Sequence, residues 1–278
     1  MKSRSRILVN ATGLAVFAVT VFPVFWMVST ALKPNEEIFS TTPRPLPGDP
    51  TFRHFDFVLN GGIANTSFWS YLGNSLILAL VTVVASGLLA LLAAVALVRF
   101  RFKFRTTYLV MLLVVQMVPA EALVIPLFLD LKQLALLDNL AGLALVYIAF
   151  SLPFSIWMLR SFVAAVPREL EEAALIDGAG PVRAFFSVLL PLVTPGLIAT
   201  SIFSFITAWN EFVFAFTFLD DQAKYTLPIM LQYFFGRSGN EWGPIMAAST
   251  LLTVPVILFF LLVQRRMVSG LTAGAVKG

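Results

Sequence analysis

The sequence predicts an all-α polytopic membrane protein with six transmembrane helices and a short cytoplasmic helix between the fourth and fifth. Three observations support this prediction. The 278 residues are 59% hydrophobic and only 12% charged, whereas soluble domains carry about 25% charged residues. The apolar residues form six runs, each at least about the 20 residues that a helix needs to cross a bilayer. The lysines and arginines lie mostly at the ends of those runs.

The six predicted spans are taken from the charge-poor runs in order. The first follows a basic N-terminus and resembles a signal peptide, but it is longer than a signal core and no clear small-residue cleavage site follows it. We therefore predict that it is retained as a span. The predicted spans are Ile7–Leu32, Tyr71–Val98, Thr107–Leu129, Leu140–Leu159, Leu192–Leu219 and Gly243–Val263.

The loops differ in their content of lysine and arginine. Thirteen of the 19 such residues lie at the N-terminus, after the second span, in the loop 160–191 and in the tail 265–278. Cytoplasmic loops of membrane proteins carry an excess of these residues. We therefore expect one domain of residues 1–278 with both termini, the loop 160–191 and the tail in the cytoplasm.

The largest segment expected on the external side is 33–70. Its prolines, from Pro43 to Pro50, predict an extended and irregular stretch. Two interpretations are equally open, a simple connector or a surface that meets an external partner. His54, in the same segment, is expected to be a plain loop residue.

Composition and missing motifs exclude several classes of function. The chain has no cysteine and one histidine, so neither a thiolate metal site nor a histidine cluster can form within one copy. It contains no phosphate-binding loop, zinc-helix motif or nucleophile turn, and no basic stripe with interleaved aromatics. We predict no catalytic residues, no metal, no cofactor in this chain and no nucleic-acid partner. An intramembrane enzyme is the weakest option.

The loop 160–191 has the pattern of two short helices. Pro167 suits a first helical turn, and acidic residues follow it where they favour the positive end of the helix dipole. Gly178 can take the left-handed conformation that closes a helix, and a second helix is predicted over 181–190. From the residues alone, the loop is either a protrusion that fits a socket in another protein or a hairpin that packs under the bundle. The acidic residues are Glu169, Glu171 and Glu172.

The same loop carries a spaced motif. Glu172-Ala173-Ala174 is followed after three residues by Gly178, and Val188 and Leu190-Pro191 complete the pattern. This motif is similar to the "EAA" signature of the membrane subunits of bacterial ABC importers. Over nearly its whole length the chain resembles the smaller permease subunit of carbohydrate importers, the group that includes the maltose transporter. Supporting segments are Leu32-Lys33-Pro34, Asn74-Ser75, Ile125-Pro126-Leu127, Trp209-Asn210-Glu211-Phe212 and Leu271–Gly278.

The resemblance implies a partner-driven importer in a bacterial cell membrane. The expected partners are a second, homologous permease, two ATPase subunits that bind ATP and Mg²⁺, an extracytoplasmic solute-binding protein, a sugar and membrane lipid. ATP hydrolysis is then expected on the ATPase chain. The residues implied to couple to the ATPase are Glu172, Ala173, Ala174, Gly178, Leu190 and Pro191, and the tail residues implied to contact it are Thr272, Gly274 and Lys277.

Four polar residues inside predicted spans are candidates for the substrate pathway. They are costly to place in a membrane, so each requires a function or a partner. The alternatives are that they pair with each other, cap broken helices or lie at the outer rim. The candidates are Gln116 and Glu121, on either side of Pro119, and Asn210 and Glu211 in the fifth span.

Two other functions remain open at this point. A secondary transporter or channel that works without ATP would be recognised by paired, inverted broken helices or an ion site at the membrane midplane. A permease of the importer class for a non-sugar solute, such as a polyamine or glycerol phosphate, would share every feature discussed above except the resemblance to carbohydrate importers.

Overall fold

A computed structural model describes residues 2–63, 66–236 and 239–275, with side chains described for 8–63, 66–236 and 240–264. The described chain is mainly helical. Two short strands, β1 (Phe235–Gly236) and β2 (Gly239–Asn240), pair antiparallel. The α-helices are α1 Lys2–Ala31, α2 Asn35–Ile38, α3 Arg53–Asn60, α4 Phe68–Arg99, α5 Arg105–Gln116, α6 Val124–Gln133, α7 Leu140–Ala165, α8 Arg168–Ile176, α9 Pro181–Ala184, α10 Leu190–Trp209, α11 Val213–Phe218, α12 Leu227–Gln232 and α13 Trp242–Ala275.

Within the described residues, five helices are long and apolar enough to cross a membrane, and a bent pair brings the number to as many as six. The bent pair is the third predicted span. Here α5 and the helical segment 120–133 meet at an angle of 93°. Pro119 explains the break, because it has no N–H to donate and disfavours helical backbone at the residue before it. The segment predicted as a span over 107–129 is therefore a broken helix rather than a continuous one.

The fifth predicted span also differs from a single helix. Its helix ends at Trp209, residues 210–212 are not helical, and α11 follows. At its other end, the separate short helix predicted over 181–190 does not exist, since α9 continues through a π-helical turn, Phe185–Leu189, into α10. The wider π turn lets the backbone accommodate Pro191, whose ring would otherwise crowd the carbonyl four residues earlier.

The described chain divides into two compact units. One comprises residues 70–228 and 256–275, and its core lies where α4, α7 and α10 pack together. A hydrogen-bonded line of serines crosses this contact, with Ser86 Oγ 3.2 Å from Ser204 Oγ and Ser155 Oγ 3.4 Å from the same atom. Small polar residues let membrane helices approach closely. An apolar cluster continues the core toward α8 and includes Leu97, Leu159, Val163, Val166, Leu189 and Val193.

The other unit comprises residues 2–69 and 229–255. As predicted, residues 41–52 form neither helix nor strand, yet the segment is fastened to itself by hydrogen bonds. The Lys33 ammonium donates to the Arg44 carbonyl at 2.6 Å and lies 4.6 Å above the Trp26 ring. His54 is buried, with Nε2 2.9 Å from the Lys33 carbonyl. The interpretation of His54 as a plain loop residue is therefore wrong.

Candidate functional site

The motif predicted from the sequence forms helix α8 and the turn after it. The helix starts directly after Pro167 and none of its residues is buried. Gly178 has φ of +85°, and its N–H donates to the Leu175 carbonyl at 3.1 Å. The left-handed helix end predicted at this glycine is thus confirmed. A Cβ at Gly178 would meet nothing within 4 Å, so backbone conformation rather than space requires the glycine.

The outer face of α8 is exposed and largely apolar. Glu172 and Ala173 are exposed, and Ala174 is half-buried. Next to them Leu170 and Ile176 are 46% and 86% exposed. Exposed apolar surface of this kind is typical of a contact with another protein or with a membrane. Nearby, α9 and the π turn add two exposed apolar side chains, those of Val182 and Phe186.

The inner side of α8 is fastened to the end of α4 by crossed contacts that the sequence analysis missed. The Arg99 Nε donates to Glu171 Oε1 at 2.8 Å, and its Nη2 donates to the Val166 carbonyl at 3.0 Å. In the other direction, Arg168 Nη2 donates to the carbonyls of Val98 and Arg99 at 2.9 and 2.8 Å. We refer to Arg99, Arg168 and Glu171 as the clamp. The only signal in the sequence was the position of each charge at a helix end.

The Leu-Pro end of the motif lies inside the continuous helix rather than between two helices. Leu190 is half-buried and packs against the apolar cluster beside buried Leu189. Pro191, the next residue, is exposed. The motif therefore joins an exposed short helix, α8, to a helix rooted in the core, α10.

The break in the third span borders a cavity of about 660 Å³. Gln116 ends α5, Glu121 lies in the 3₁₀ turn Ala120–Leu123, and both line this cavity. The rest of the wall comes from α5, α6, α7 and the turns between them, and it is apolar except for Asp130 of α6. The structure thus brings together two of the four pathway candidates. It places them in the wall of a mostly apolar cavity whose volume is typical of small-molecule sites.

Glu211 lies at the break in the fifth span and caps the helix that follows. Its carboxylate accepts the backbone N–H groups of Phe214 and Ala215 at 2.7 and 3.0 Å, and the Tyr147 hydroxyl donates to Oε2 at 2.6 Å. A smaller cavity of about 160 Å³ borders Glu211 and shares two lining residues, Ala120 and Phe150, with the large one. Tyr147 was missed from the sequence because an isolated tyrosine in an apolar run carries no pattern.

The remaining pathway candidate, Asn210, is not among the residues that line either cavity. Asn210 is exposed, and its amide donates to the Ile206 carbonyl at 2.9 Å, in the last turn of α10. Thr272 and Gly274 lie in the helical backbone of α13, and Lys277 lies outside the described residues. Among the residues that the structure describes, no group of three or more histidine, aspartate or glutamate side chains is arranged to hold a metal ion.

A second polar cluster fastens the loop after α11. Asp138, with φ of +51°, accepts the backbone N–H groups of Asp220 and Asp221 at 3.0 Å and an ammonium hydrogen of Lys224 at 2.5 Å. Partial burial opposes ionisation of Asp138, but the hydrogen bonds from Lys224 and the two N–H groups outweigh it and hold its pKa below the usual value. The hydrogen bond to Asp138 likewise raises the pKa of Lys224.

This cluster should loosen in acid. A carboxyl group whose pKa is lowered by folding stabilises the fold above its ordinary pKa of about 3.9 and ceases to do so as the pH falls through the folded value. Lys224, with its raised pKa, stays charged until above its ordinary pKa of about 10.4. We expect the hydrogen-exchange protection of the Asp220 and Asp221 amides, corrected for intrinsic rate, to fall between pH 6 and 3.

The matched variants are Asp138→Asn and Asp220→Asn. Asp138→Asn removes the charged acceptor, so protection should be low at both pH values. Asp220 has an exposed side chain in the same loop, so Asp220→Asn should keep the wild-type pH dependence. Equal protection at pH 6 and pH 3 in the wild-type chain would contradict this account.

Comparison with known proteins agrees with the class that the fold and the motif define, a helical membrane permease. Residues 86–272 match the family described as "Binding-protein-dependent transport system inner membrane component". The diacetylchitobiose uptake system permease protein DasC of Streptomyces coelicolor is 44% identical over 98% of both chains. The trehalose transport system permease protein SugB of Mycobacterium tuberculosis is 37% identical over 93% of both.

Comparison of structures gives the same fold. A chain in the crystal structure of a bacterial ABC transporter that imports the acidic polysaccharide alginate superposes with a TM-score of 0.79, at 23% identity, covering 95% of this chain and 97% of the other. The chain described here belongs to the family of inner membrane components of binding-protein-dependent transport systems.

Family membership decides against a transporter that works alone. Paired broken helices were to be the distinguishing feature of that alternative, and the structure does have breaks at 117–119 and 210–212. However, the family whose members depend on a binding protein covers residues 86–272, including both breaks. The breaks are therefore features of a binding-protein-dependent permease and do not indicate a secondary transporter.

Proposed function

We propose that this chain is one of two permease subunits of an ATP-driven sugar importer and that α8 is its contact with the ATPase. The observation that carries the proposal is the division of α8 into a face held by α4 and an exposed face of Glu172, Ala173 and Ile176. The names of the relatives support sugar as the solute class, because two of them transport diacetylchitobiose and trehalose.

The coupling surface comprises the motif residues and the neighbouring apolar side chains. Ala173 allows close approach because it adds only a methyl group, while Leu170 and Ile176 supply apolar area to fill a socket. Glu172 offers a charge to a basic partner. Gly178 fixes the end of the helix, and Leu190 and Pro191 join the surface to α10. This assignment places the 160–191 loop, both termini and the tail residues Thr272, Gly274 and Lys277 on the cytoplasmic side.

The solute path is proposed to run along the 660 Å³ cavity at the break in the third span. Gln116 and Glu121 provide hydrogen-bonding groups at its edge, and Phe150 provides an aromatic face for a sugar ring. Asn210 stays a candidate for the path because its exposed amide lies beside the second break. Glu211 contributes by fixing the second break, since its carboxylate oxygens are already occupied by N–H and O–H donors.

The proposed transporter needs other subunits besides this chain. The exposed face of α8 fits an ATPase subunit that binds ATP and Mg²⁺, and a second permease would provide the opposite wall of the path. The folded segment 33–63 offers a structured surface on the outer side for an extracytoplasmic binding protein. This surface is fastened by the contacts of Lys33, His54 and Ser29, the last of which donates to the Pro45 carbonyl at 2.6 Å.

The test is to co-purify the complex from cells that express this chain with the proposed partner permease, ATPase and binding protein. ATPase activity is then measured with a panel of saccharides, a polyamine and glycerol phosphate. We expect stimulation by one or a few saccharides, and only with the binding protein present. Stimulation by the polyamine or glycerol phosphate alone would overturn the assignment of sugar, and failure of any ATPase to co-purify would overturn the proposed coupling.

A further inference from the structure

We propose that Arg99, Arg168 and Glu171 transmit the movement of α8 directly to α4, so that the second span is driven by the coupling helix through polar contacts. The proposal rests on the proposed function, since it assigns the internal side of that coupling surface. In this proposal the three clamp residues are positioning residues. They join α8 to α4 and contact neither ATP nor solute.

The clamp has a reciprocal geometry. Each arginine belongs to one helix end and binds the other, Arg99 from the last residue of α4 and Arg168 from the first residue of α8. Two nitrogens of Arg99 converge on Glu171 Oε1, at 2.5 and 2.8 Å. Arg168 binds two carbonyls of the last turn of α4, which have no partner within the helix. Five contacts thus join two short stretches of chain.

The clamp is partly shielded from water. The Arg99 and Glu171 side chains are only 11% and 22% exposed, so their attraction is screened less than that of a surface pair. Arg99 also donates to the carbonyl of Val166, which is buried in the apolar cluster shared with Leu97 of α4. The polar contacts therefore lie at the edge of a packed core.

The clamp gives a force on α8 a direct route to α4. A partner that pulls on the exposed face of α8 also pulls on the side chains of Arg168 and Glu171, and both lead to the last turn of α4. The covalent routes from α8 run back through 166–167 to α7 and on through 177–180 to α9 and α10. Neither route reaches α4, so α8 moves α7 and α10 through the backbone and α4 through the clamp.

A double-mutant cycle in the assembled transporter tests this inference. The variants are Arg99→Ala, Glu171→Ala and the double variant, with Arg101→Ala and Glu169→Ala as exposed controls of the same charge in the same regions. We expect solute transported per ATP hydrolysed to fall at least about threefold in each single variant and no further in the double, because members of one network are not additive. Each control should stay within about 1.5-fold of the wild type, since exposed charges outside a network contribute little.

A second readout follows α8 itself. The chain has no cysteine, so Leu175→Cys, at an exposed position of α8 outside the coupling surface, provides a single site in this chain for a spin label. The label should become more mobile in Arg99→Ala and Glu171→Ala but not in the controls. Should Arg99→Ala fail to assemble, Arg99→Lys serves in its place, because it retains the charge but loses the planar fork that reaches Glu171 and Val166 together.

The possible results separate the two proposals. Additive losses, wild-type transport per ATP in the single variants, or unchanged label mobility would each overturn the clamp while leaving the proposed function intact. A wild-type assembly that shows no ATP-driven uptake would overturn the proposed function and, with it, the transmitting role of the clamp. In that event the label spectra still determine whether the clamp holds α8 to α4.

Discussion

Ala173→Arg should abolish ATP-driven uptake with little effect on the stability of the chain itself. Ala173 is exposed in the middle of α8, so a long side chain meets no neighbour within the subunit. At a docked interface the same side chain would fill the space that the methyl group leaves for the partner. Losing a central contact of an interface costs about 2 kcal/mol or more, which weakens docking about thirtyfold.

The measurement is uptake of radiolabelled sugar into vesicles, together with the fraction of ATPase that co-purifies. Glu172→Lys should lower both through charge reversal against a basic partner. Ala164→Arg is the matched control, because Ala164 is also exposed but precedes the motif near the end of α7. Normal uptake in Ala173→Arg, or an equal loss in Ala164→Arg, would remove α8 from the role of coupling helix.

Gly178 shows how far the sequence alone could predict the site. The prediction of a left-handed helix end was correct because local chemistry decides it, and glycine is the residue that adopts positive φ without cost. The helix α8 was also predictable, since Pro167 and the acidic residues after it are start signals that act within one turn. Local rules thus identified the exposed half of the site.

The clamp and the Tyr147–Glu211 contact could not be predicted in the same way. Arg99 and Glu171 are 72 residues apart and Tyr147 and Glu211 are 64 apart, so no local pattern relates them. Each charge already had a simpler explanation. Arg99 was counted among the positive charges that place its loop in the cytoplasm, and Glu171 was taken to favour the positive end of the helix dipole. Only the packing of α4, α7 and α10 brings such residues together.

The breaks in the third and fifth spans were not predicted, for a different reason. Hydropathy is continuous across Pro119 and across Asn210, and a window that averages about 19 residues does not register a bend. The opposite error was made at the start of the fifth span. A separate helix was predicted to end at residue 190, before Pro191, but the π turn Phe185–Leu189 keeps the helix continuous. Proline changes the backbone locally, but neighbouring turns decide whether the helix stops.

Glu211→Ala should cause the largest loss of stability, because one carboxylate serves three donors at the break of the fifth span. Its removal leaves the Tyr147 hydroxyl and the N–H groups of Phe214 and Ala215 without their acceptor. An unsatisfied buried polar group costs about 1–3 kcal/mol, so we expect a loss of about 3 kcal/mol. For a chain of this size that lowers the melting temperature by roughly 10 °C.

Thermal unfolding of the purified complex in detergent, followed by tryptophan fluorescence, measures this loss. Tyr147→Phe removes only one of the three hydrogen bonds and should cost about 1 kcal/mol. The double variant Tyr147→Phe/Glu211→Ala should be no less stable than Glu211→Ala, because the phenylalanine no longer needs an acceptor. If Glu211→Ala unfolds within about 2 °C of the wild type, which corresponds to less than about 1 kcal/mol, then Glu211 does not hold the break, and its carboxylate is free to contact the solute.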